Sequence, residues 1–188
     1  MLILFNEINK KFDNNNCNFV KINNQDFKEI FDFNYQTEIQ DDILNKKINP
    51  ASLADKIERE KLLEKVKSGI DYLLFDKHSR QFVIQMEYDE REDLAGCLSL
   101  MQFIIRDNVL HLFVFVRSQH FDRNFLYDNQ TYMLLTKTLR DDLKKNKIII
   151  ENEEIHVHIT SLHKEKKSKK NKKSLWSNHY LCLYYLCS

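Results

Sequence analysis

The chain has 188 residues, of which 43% are hydrophobic and 30% charged, and it contains two glycines and one proline. This length and composition suffice for one hydrophobic core, so a single domain is expected. The formal net charge is +1, but seven lysines and one glutamate lie between Lys164 and Lys173, so the rest of the chain is more acidic than basic. An acidic body argues against a nucleic-acid binder that uses its whole surface.

The cysteines and the apolar runs bear on the expected compartment. The four cysteines form no CxxC pair, and the N-terminal apolar run is too short for a secretory signal. No run of about eighteen apolar residues is present, so we expect no membrane-spanning helix. These features predict a reduced, cytoplasmic protein.

The first half of the chain predicts one clear helix. Residues 1–50 show little regular pattern, although the i, i+4 spacing of Phe27 and Phe31 favours one helical turn. An amphipathic helix is predicted from Pro50 to Ser68, since Pro50 precedes its first turn and Gly69 follows its last. We interpret its charged face as solvated surface. Short strands are predicted at residues 70–75 and 81–87.

The second half predicts a hairpin followed by a helix and a strand. Two apolar runs, residues 98–105 and 109–116, flank the polar triplet Arg106-Asp107-Asn108, which is typical of an antiparallel hairpin with a tight turn. Periodicity predicts a helix over residues 130–145 and a half-buried strand over residues 148–161. This order of elements indicates an α+β domain.

The predicted hairpin also suggests a reactive site. Cys97 and Arg117 stand at its two outer ends, so pairing of the strands would bring them close together. A thiol nucleophile beside a guanidinium suits a phosphorylated substrate whose reactive atom lies near its phosphate.

Several other chemistries are disfavoured by spacing. The two glycines are isolated, which excludes a glycine-rich phosphate loop. His156 and His158 would share one face of a strand, with His163 beyond its end, and without a Cys pair or an HExxH helix no metal site is predicted. The Lys164–Lys173 stretch could contact nucleic-acid phosphates or an anionic membrane surface, but a solvated tail is the simpler interpretation.

Six elements follow one another in a characteristic order. They are Ser79-Arg80, Cys97, Gln102-Phe103, Arg117-Ser118, Tyr127-Asp128 and His163. This segment, a little under half of the chain, resembles the catalytic core of the thymidylate synthase and deoxycytidylate hydroxymethylase superfamily. Members of that superfamily add a one-carbon unit to C5 of a pyrimidine nucleotide. The ordered set, with the arginine twenty residues after the cysteine, gives the resemblance its specificity.

The resemblance implies roles for these residues. Cys97 would be the nucleophile that adds to C6 of the base, which enables C5 to attack a one-carbon electrophile. The implied substrate contacts are Arg117 and Ser118 with the nucleotide phosphate, Arg80 with the phosphate of a partner subunit, Asp128 with the base edge, His163 with the sugar 3′-hydroxyl, and Gln102.

Asp128 bears on the choice of base. Thymidylate synthases have asparagine at this place, whose amide can both donate to and accept from uracil. A carboxylate accepts, or donates if protonated, and so suits the cytosine amino group. The expected substrate is therefore dCMP in preference to dUMP.

The resemblance further implies a thymidylate synthase-like domain over residues 1–163, with a curved mixed β-sheet and one long helix after the central hairpin. A lysine-rich and aromatic tail would occupy residues 164–188. The implied partner is a second copy of the chain, packed through the sheet as a homodimer, and the implied one-carbon donor is 5,10-methylenetetrahydrofolate.

An inactive relative is the alternative to an enzyme. The chain has Leu98, His120 and Glu165 where the family pattern has histidine, aspartate and tyrosine. These departures allow a nucleotide-binding or interaction module of the same fold without catalysis. Simpler interpretations also exist for single residues, with Cys97 as a core residue and Asp128 as the N-cap of the following helix.

Overall fold

A six-stranded sheet is the centre of the computed structural model of the chain, which describes residues 2–14, 17–22, 25–86 and 97–166. Its strands are β1 (Asn18–Ile22), β2 (Gln25–Thr37), β3 (Val83–Gln85), β4 (Leu98–Arg106), β5 (Val109–His120) and β6 (Asn152–Glu165). They lie in the order β1-β2-β6-β5-β4-β3, and only the β5–β6 pair is parallel. The described helices are α1 (Leu2–Asp13), α2 (Asp41–Leu44), α3 (Leu53–Phe75) and α4 (Phe125–Lys145). The fold is therefore α+β with a mixed sheet.

The predicted hairpin is confirmed. β4 pairs antiparallel with β5 down to Arg106 and Val109, and Asp107 and Asn108 form the turn with φ values of 50° and 60°. Two successive residues with positive φ are the signature of the tight turn that matches the twist of two strands, and Asp and Asn tolerate this conformation.

The core lies between one face of the sheet and the helices. Alternate residues of the central strands face this core, including Phe103 on β4, Leu112 on β5 and Val157 on β6, all of them buried. Helix α4 connects β5 to β6, as a parallel pair requires a crossover. α4 also packs against α3, so the two long helices cover the same side of the sheet.

The prediction of a strand at residues 70–75 is wrong, because α3 continues through Gly69 to Phe75. The helix starts as expected, with a capping box in which Ser52 and Asp55 bond to each other's backbone amides. Gly69 does not end it, because its lack of a side chain serves packing. A Cβ at this position would lie 2.1 Å from the ring of Phe82.

The prediction of irregular structure in residues 1–50 is also wrong. This segment forms α1, β1, β2 and α2, and Phe27 and Phe31 belong to β2 rather than to a helical turn. β2 pairs with β1 on one side and with β6 on the other, so its conformation depends on partners distant in sequence.

The remaining boundaries shift by a few residues. The strand expected at 81–87 is described only over Val83–Gln85, the helix expected at 130–145 starts at Phe125, and the last strand runs from Asn152 to Glu165. Lys164 and Glu165, the first residues of the predicted tail, therefore pair with β2. Residues 167–188, where the rest of that prediction falls, lie outside the described residues. None of the described helices has the length and apolar character needed to cross a membrane.

Candidate active site

A cleft with a volume of about 230 Å³ lies between α3, α4 and the open end of the β4–β5 hairpin. Three sets of residues line it: Ser52, Ala54, Asp55, Glu58, Arg59 and Leu62 around α3; Cys97, Leu98 and Val116 from the hairpin; and Asn124, Tyr127, Asp128, Thr131 and Tyr132 around α4. The cleft thus combines a thiol, three carboxyl groups and a guanidinium in a small volume.

Cys97 stands at the mouth of this cleft. Its backbone carbonyl accepts a hydrogen bond of 2.8 Å from the amide of Arg117, which closes the open end of the hairpin. Its side chain is exposed, with Sγ 3.3 Å from Oγ of Ser118. The interpretation of Cys97 as a core residue is therefore wrong, and the thiol is accessible to a ligand in the cleft.

Asp128 lies on the first turn of α4, and its carboxyl group is buried. Burial raises the pKa of this carboxyl group to about 7. The nearby carboxylates of Glu58 and Asp55 also raise the pKa, and the hydrogen bond from Gln119 lowers it only in part. That bond runs from Nε2 of Gln119 to Oδ2 of Asp128 at 2.7 Å. The N-cap position of α4 is held by Asn124, so Asp128 is not the cap. At neutral pH a substantial fraction of this carboxyl group is protonated and can donate as well as accept.

Glu58 and Arg59 bring the charged face of α3 into the cleft, contrary to the expectation that this face is solvated. Burial, with a contribution from Asp55, raises the pKa of Glu58 to about 7. The guanidinium of Arg59 lies 3.6 Å from the centre of the Tyr127 ring and donates to Oγ1 of Thr131 at 2.7 Å. The Arg59 side chain is thus held in place by the packing of α3 against α4.

The sequence contained a signal for these two residues. Asp55, Glu58, Arg59 and Leu62 follow the i, i+3, i+4, i+7 spacing of one helix face, and Leu62 is buried. A charged pair on the same stripe as a buried leucine indicates a partly covered site rather than open surface.

Arg80, Gln102 and Arg117 are not among the residues that line the cleft. Nε2 of Gln102 donates to the backbone carbonyl of Arg80 at 2.8 Å, which ties β4 to the segment before β3. Arg117 is exposed, and the register between β5 and β6 skips it, pairing Val116 with Ile159 and Ser118 with Ser161. The structure therefore brings Cys97 and Asp128 into one cleft, with Ser118 against the thiol but outside the cleft lining, and it does not bring Arg80 or Arg117 there.

His163 lies in a second polar cluster beside Ser118. It is in register with His120 on β5 and with Glu29 on β2, and its ring centre lies 5.1 Å from that of His120. Burial lowers the pKa of both histidines, that of His120 to about 4. Ser118 is in register with Ser161, whose hydroxyl group donates to Glu29. Ser118 therefore stands between Cys97 and the cluster that contains His163.

Comparison with known proteins adds no relative. No family model matches the chain, and a search of curated proteins finds no match. A function can therefore be proposed only from the residues and their geometry.

Proposed function

We propose that the chain binds a pyrimidine deoxynucleoside monophosphate in this cleft and transfers a one-carbon unit to C5 of the base. The observation that supports this proposal is the convergence of Cys97 and Asp128. They come from a strand and a helix 31 residues apart, yet they line one cleft, and Ser118 touches the thiol. The resemblance assigns these same three residues to the nucleotide.

The proposed chemistry starts at the thiol. The thiolate of Cys97 forms a bond to C6, and the electrons of the C5–C6 double bond shift towards C5 and the group at C4. C5 then attacks an electrophile and gains a new bond. Loss of the C5 proton returns its electron pair to the ring, and the C6–S bond breaks to release the thiolate.

Asp128 would read the base edge. In its protonated form it donates to N3 of cytosine and accepts from the 4-amino group, which is the pattern that dCMP offers. Its burial makes this form accessible at neutral pH, since the pKa is raised to about 7. Gln119 would hold the carboxyl group in place from behind.

Glu58 is the candidate for proton transfer. It lies in the same cleft, and its pKa of about 7 suits a group that both takes up and releases protons near neutral pH.

The cleft does not fit a nucleotide and 5,10-methylenetetrahydrofolate together. Its volume of about 230 Å³ is below the range of about 300–1,000 Å³ that is typical of pockets for a single small molecule. We therefore assign no step to the folate. The addition to C6 depends only on residues of this chain and can be tested without a donor.

Release of tritium from C5-tritiated dCMP and dUMP tests the proposal. The native chain should release tritium to water, because addition at C6 makes C5 exchangeable, and Cys97→Ala should reduce the release to background. Cys17→Ala is the matched control, since Cys17 is buried between α1 and β1 and does not line the cleft. If the chain binds the nucleotide but shows no tritium release that depends on Cys97, the proposed enzymatic activity is contradicted.

Asp128→Asn tests the base preference. The amide should shift the ratio of tritium release from dCMP towards dUMP, since it can donate and accept at all pH values. Circular dichroism of both proteins checks that the fold is retained. An unchanged ratio would remove Asp128 from base recognition while leaving the role of Cys97 intact.

A nucleotide-binding module without catalysis is the second candidate, and one observation favours it. Leu98 lines the cleft at the position where the family pattern has a histidine after the catalytic cysteine. Calorimetric titration with dCMP and dUMP, run beside the tritium assay, separates the two candidates. Binding without release supports the module, and release that depends on Cys97 supports the enzyme.

A further inference from the structure

Two histidines and a glutamate meet on the face of the sheet that the described helices leave uncovered. His111 lies on β5 between Leu110 and Leu112, which both face the core, so its own side chain projects to the opposite face. Glu154 and His156 project from β6 on the same side, and Glu154 is the register partner of His111. The three side chains form a cluster that is separate from the cleft described above.

The three ligand atoms form a nearly equilateral triangle. Nδ1 of His111 lies 3.2 Å from Nε2 of His156 and 3.2 Å from Oε2 of Glu154, and the last two atoms are 3.3 Å apart. Zinc binds histidine and carboxylate at about 2.0–2.1 Å in a tetrahedron, whose edge is then about 3.3–3.4 Å. The triangle therefore has the size of one face of a zinc tetrahedron.

Hydrogen bonds alone satisfy this triangle poorly. If one imidazole carries a proton inside the triangle, a lone pair of the other faces the carboxylate. If both carry one, the two N–H groups face each other. The distances also exceed the roughly 2.7–2.9 Å of a charge-assisted hydrogen bond. A divalent cation at the centre would accept all three lone pairs at once.

The triangle is pre-formed and open to solvent. The ring of Phe113 stacks on His156 at 4.6 Å with an angle of 11° between the planes, and on His111 at 6.1 Å, so both imidazoles are held in orientation. The side chains keep exposed fractions of 21% for His111 and 29% for each of the other two. An ion can therefore reach the three atoms without a rearrangement of the strands.

We propose that His111, Glu154 and His156 bind a divalent transition-metal ion, with zinc the best fit, and that the fourth coordination position faces solvent. Two neutral imidazoles and one carboxylate are a ligand set that zinc uses where it keeps one position open for water. The site joins β5 to β6 at the centre of the sheet. It does not depend on the proposed nucleotide chemistry, because none of its residues lines the cleft.

From the sequence, His156 was grouped with His158 and His163, which lie near it on the same strand. No metal site was predicted for that group of three. The partner that completes the triangle is His111, 45 residues away on the neighbouring strand. His158 instead lies beside Asn34 of β2, with Nδ1 2.7 Å from Oδ1.

Metal titration of the full chain tests the site. We expect zinc, competed against a chromophoric chelator, to bind with a component that His111→Ala, His156→Ala and Glu154→Gln each weaken by at least about tenfold. His158→Ala is the matched control, since it removes a histidine from the same strand and face, and it should leave the affinity unchanged. Circular dichroism checks that each variant is folded.

Cobalt substitution identifies the ligands independently. Tetrahedral Co²⁺ bound to nitrogen and oxygen should give visible d–d bands that disappear in His111→Ala and persist in His158→Ala. A spectrum dominated by sulfur-to-cobalt charge transfer and unchanged in His111→Ala would place the ion on cysteines and overturn the proposal. Equal zinc affinity of the native chain and His111→Ala would overturn it as well.

Discussion

The carboxyl group of Asp128 should make the stability of the protein depend on pH. Its pKa is raised from 3.8 to about 7 in the folded chain, so the folded state keeps a proton that the unfolded state loses above pH 4. Stability should therefore fall as the pH rises from about 4 to about 8. Three pKa units correspond to a total of about 4 kcal/mol.

Asp128→Asn should remove most of this dependence, because the amide does not titrate. Urea denaturation at pH 5 and pH 8 measures it as the difference in the free energy of unfolding. Relative to the native chain, the free energy of unfolding of Asp128→Asn should be higher at pH 8 than at pH 5. Glu58→Gln should show a difference of the same sign. Parallel pH curves for the native chain and Asp128→Asn would show that the carboxyl group is not buried in this way.

Gly69 is a second residue whose environment makes a sharp prediction. A methyl group here would lie 2.1 Å from Cε2 of Phe82, a ring that is 2% exposed. Although alanine favours helix, Gly69→Ala should destabilise the protein by about 1–3 kcal/mol through overpacking. Chemical denaturation measures the loss.

A double mutant shows whether the loss comes from this contact. Phe82→Leu removes the ring atoms that the new methyl group would meet, so Gly69→Ala should cost less in that background. An equal cost in both backgrounds would mean that the space beside Gly69 is larger than the contact distance indicates.

Single residues were predictable from the sequence where a pattern linked them. Cys97 and Asp128 were found because they belong to an ordered set along the chain. Glu58 and Arg59 were missed because a charged helix face usually meets solvent, and only the packing of α3 on α4 covers theirs. His111 was missed because the pairing of β5 with β6, across an intervening helix, puts it opposite Glu154 and within reach of His156.

Among the elements, α3 offers a test of its N-terminal cap. The Ser52 side chain accepts from the amide of Asp55, and the Asp55 carboxylate accepts from the amide of Ser52. Ser52→Ala should cost about 1 kcal/mol, because one helix amide loses its partner. Ser68→Ala within the same helix is the control, and it should lie within about 0.5 kcal/mol of the native chain.

The cap also shapes the cleft, since both of its residues line it. If Ser52→Ala and Ser68→Ala have equal free energies of unfolding, the capping box is not formed in solution. A larger loss of nucleotide binding than of stability in Ser52→Ala would show that the cap positions the cleft as well.

Elements were predicted well where the signal is local. The β4–β5 hairpin follows from its alternating apolar runs and its polar turn, and α4 from its periodicity. The prediction of a strand at residues 70–75 was wrong because the spacing of the apolar residues there fits both patterns. They occupy alternate positions, as in a strand, and they also lie one turn apart, as in a helix. β2 was missed because its pairing with β1 and β6 overrides the helical spacing of its phenylalanines.

At the scale of the whole molecule, the uncovered face of the sheet is the proposed dimer surface. It carries Phe115, with an exposed fraction of 41%, next to Phe113 and His158. We expect sedimentation to show a dimer, and Phe115→Glu to shift it to monomer by placing a charge in an apolar contact. The control is Phe75→Glu, which alters a side chain that is 95% exposed at the end of α3.

Two outcomes would contradict this dimer. A native chain that sediments as a monomer at all concentrations would exclude it. A dimer that persists in Phe115→Glu but is lost in Phe75→Glu would place the contact on the helical side. A dimer on this face would cover the open coordination position of the proposed zinc site, so zinc affinity should be compared between the native chain and Phe115→Glu. Loss of the dimer leaves the zinc and nucleotide proposals unaffected.

The α+β class could be predicted because it depends on the order of the elements, whereas the mixed sheet was expected only from the resemblance. The layers and the strand order could not, because they depend on contacts between β2 and β6, which are distant in sequence. The order of the motifs also did not predict that Arg80, Arg117 and His163 lie outside the cleft. Order along the chain does not determine which side chains face a cleft.

The lengths of the outermost strands have a consequence for the behaviour of the chain at high concentration. β1 and β3 have five and three residues, whereas the four strands between them have nine to fourteen. β1 pairs with β2 only over residues 25–29, so residues 30–37 of β2 have no strand beside them on that side among the described residues. A neighbouring molecule that extended the sheet would therefore pair with this part of β2 rather than with β1, and such association should increase with protein concentration.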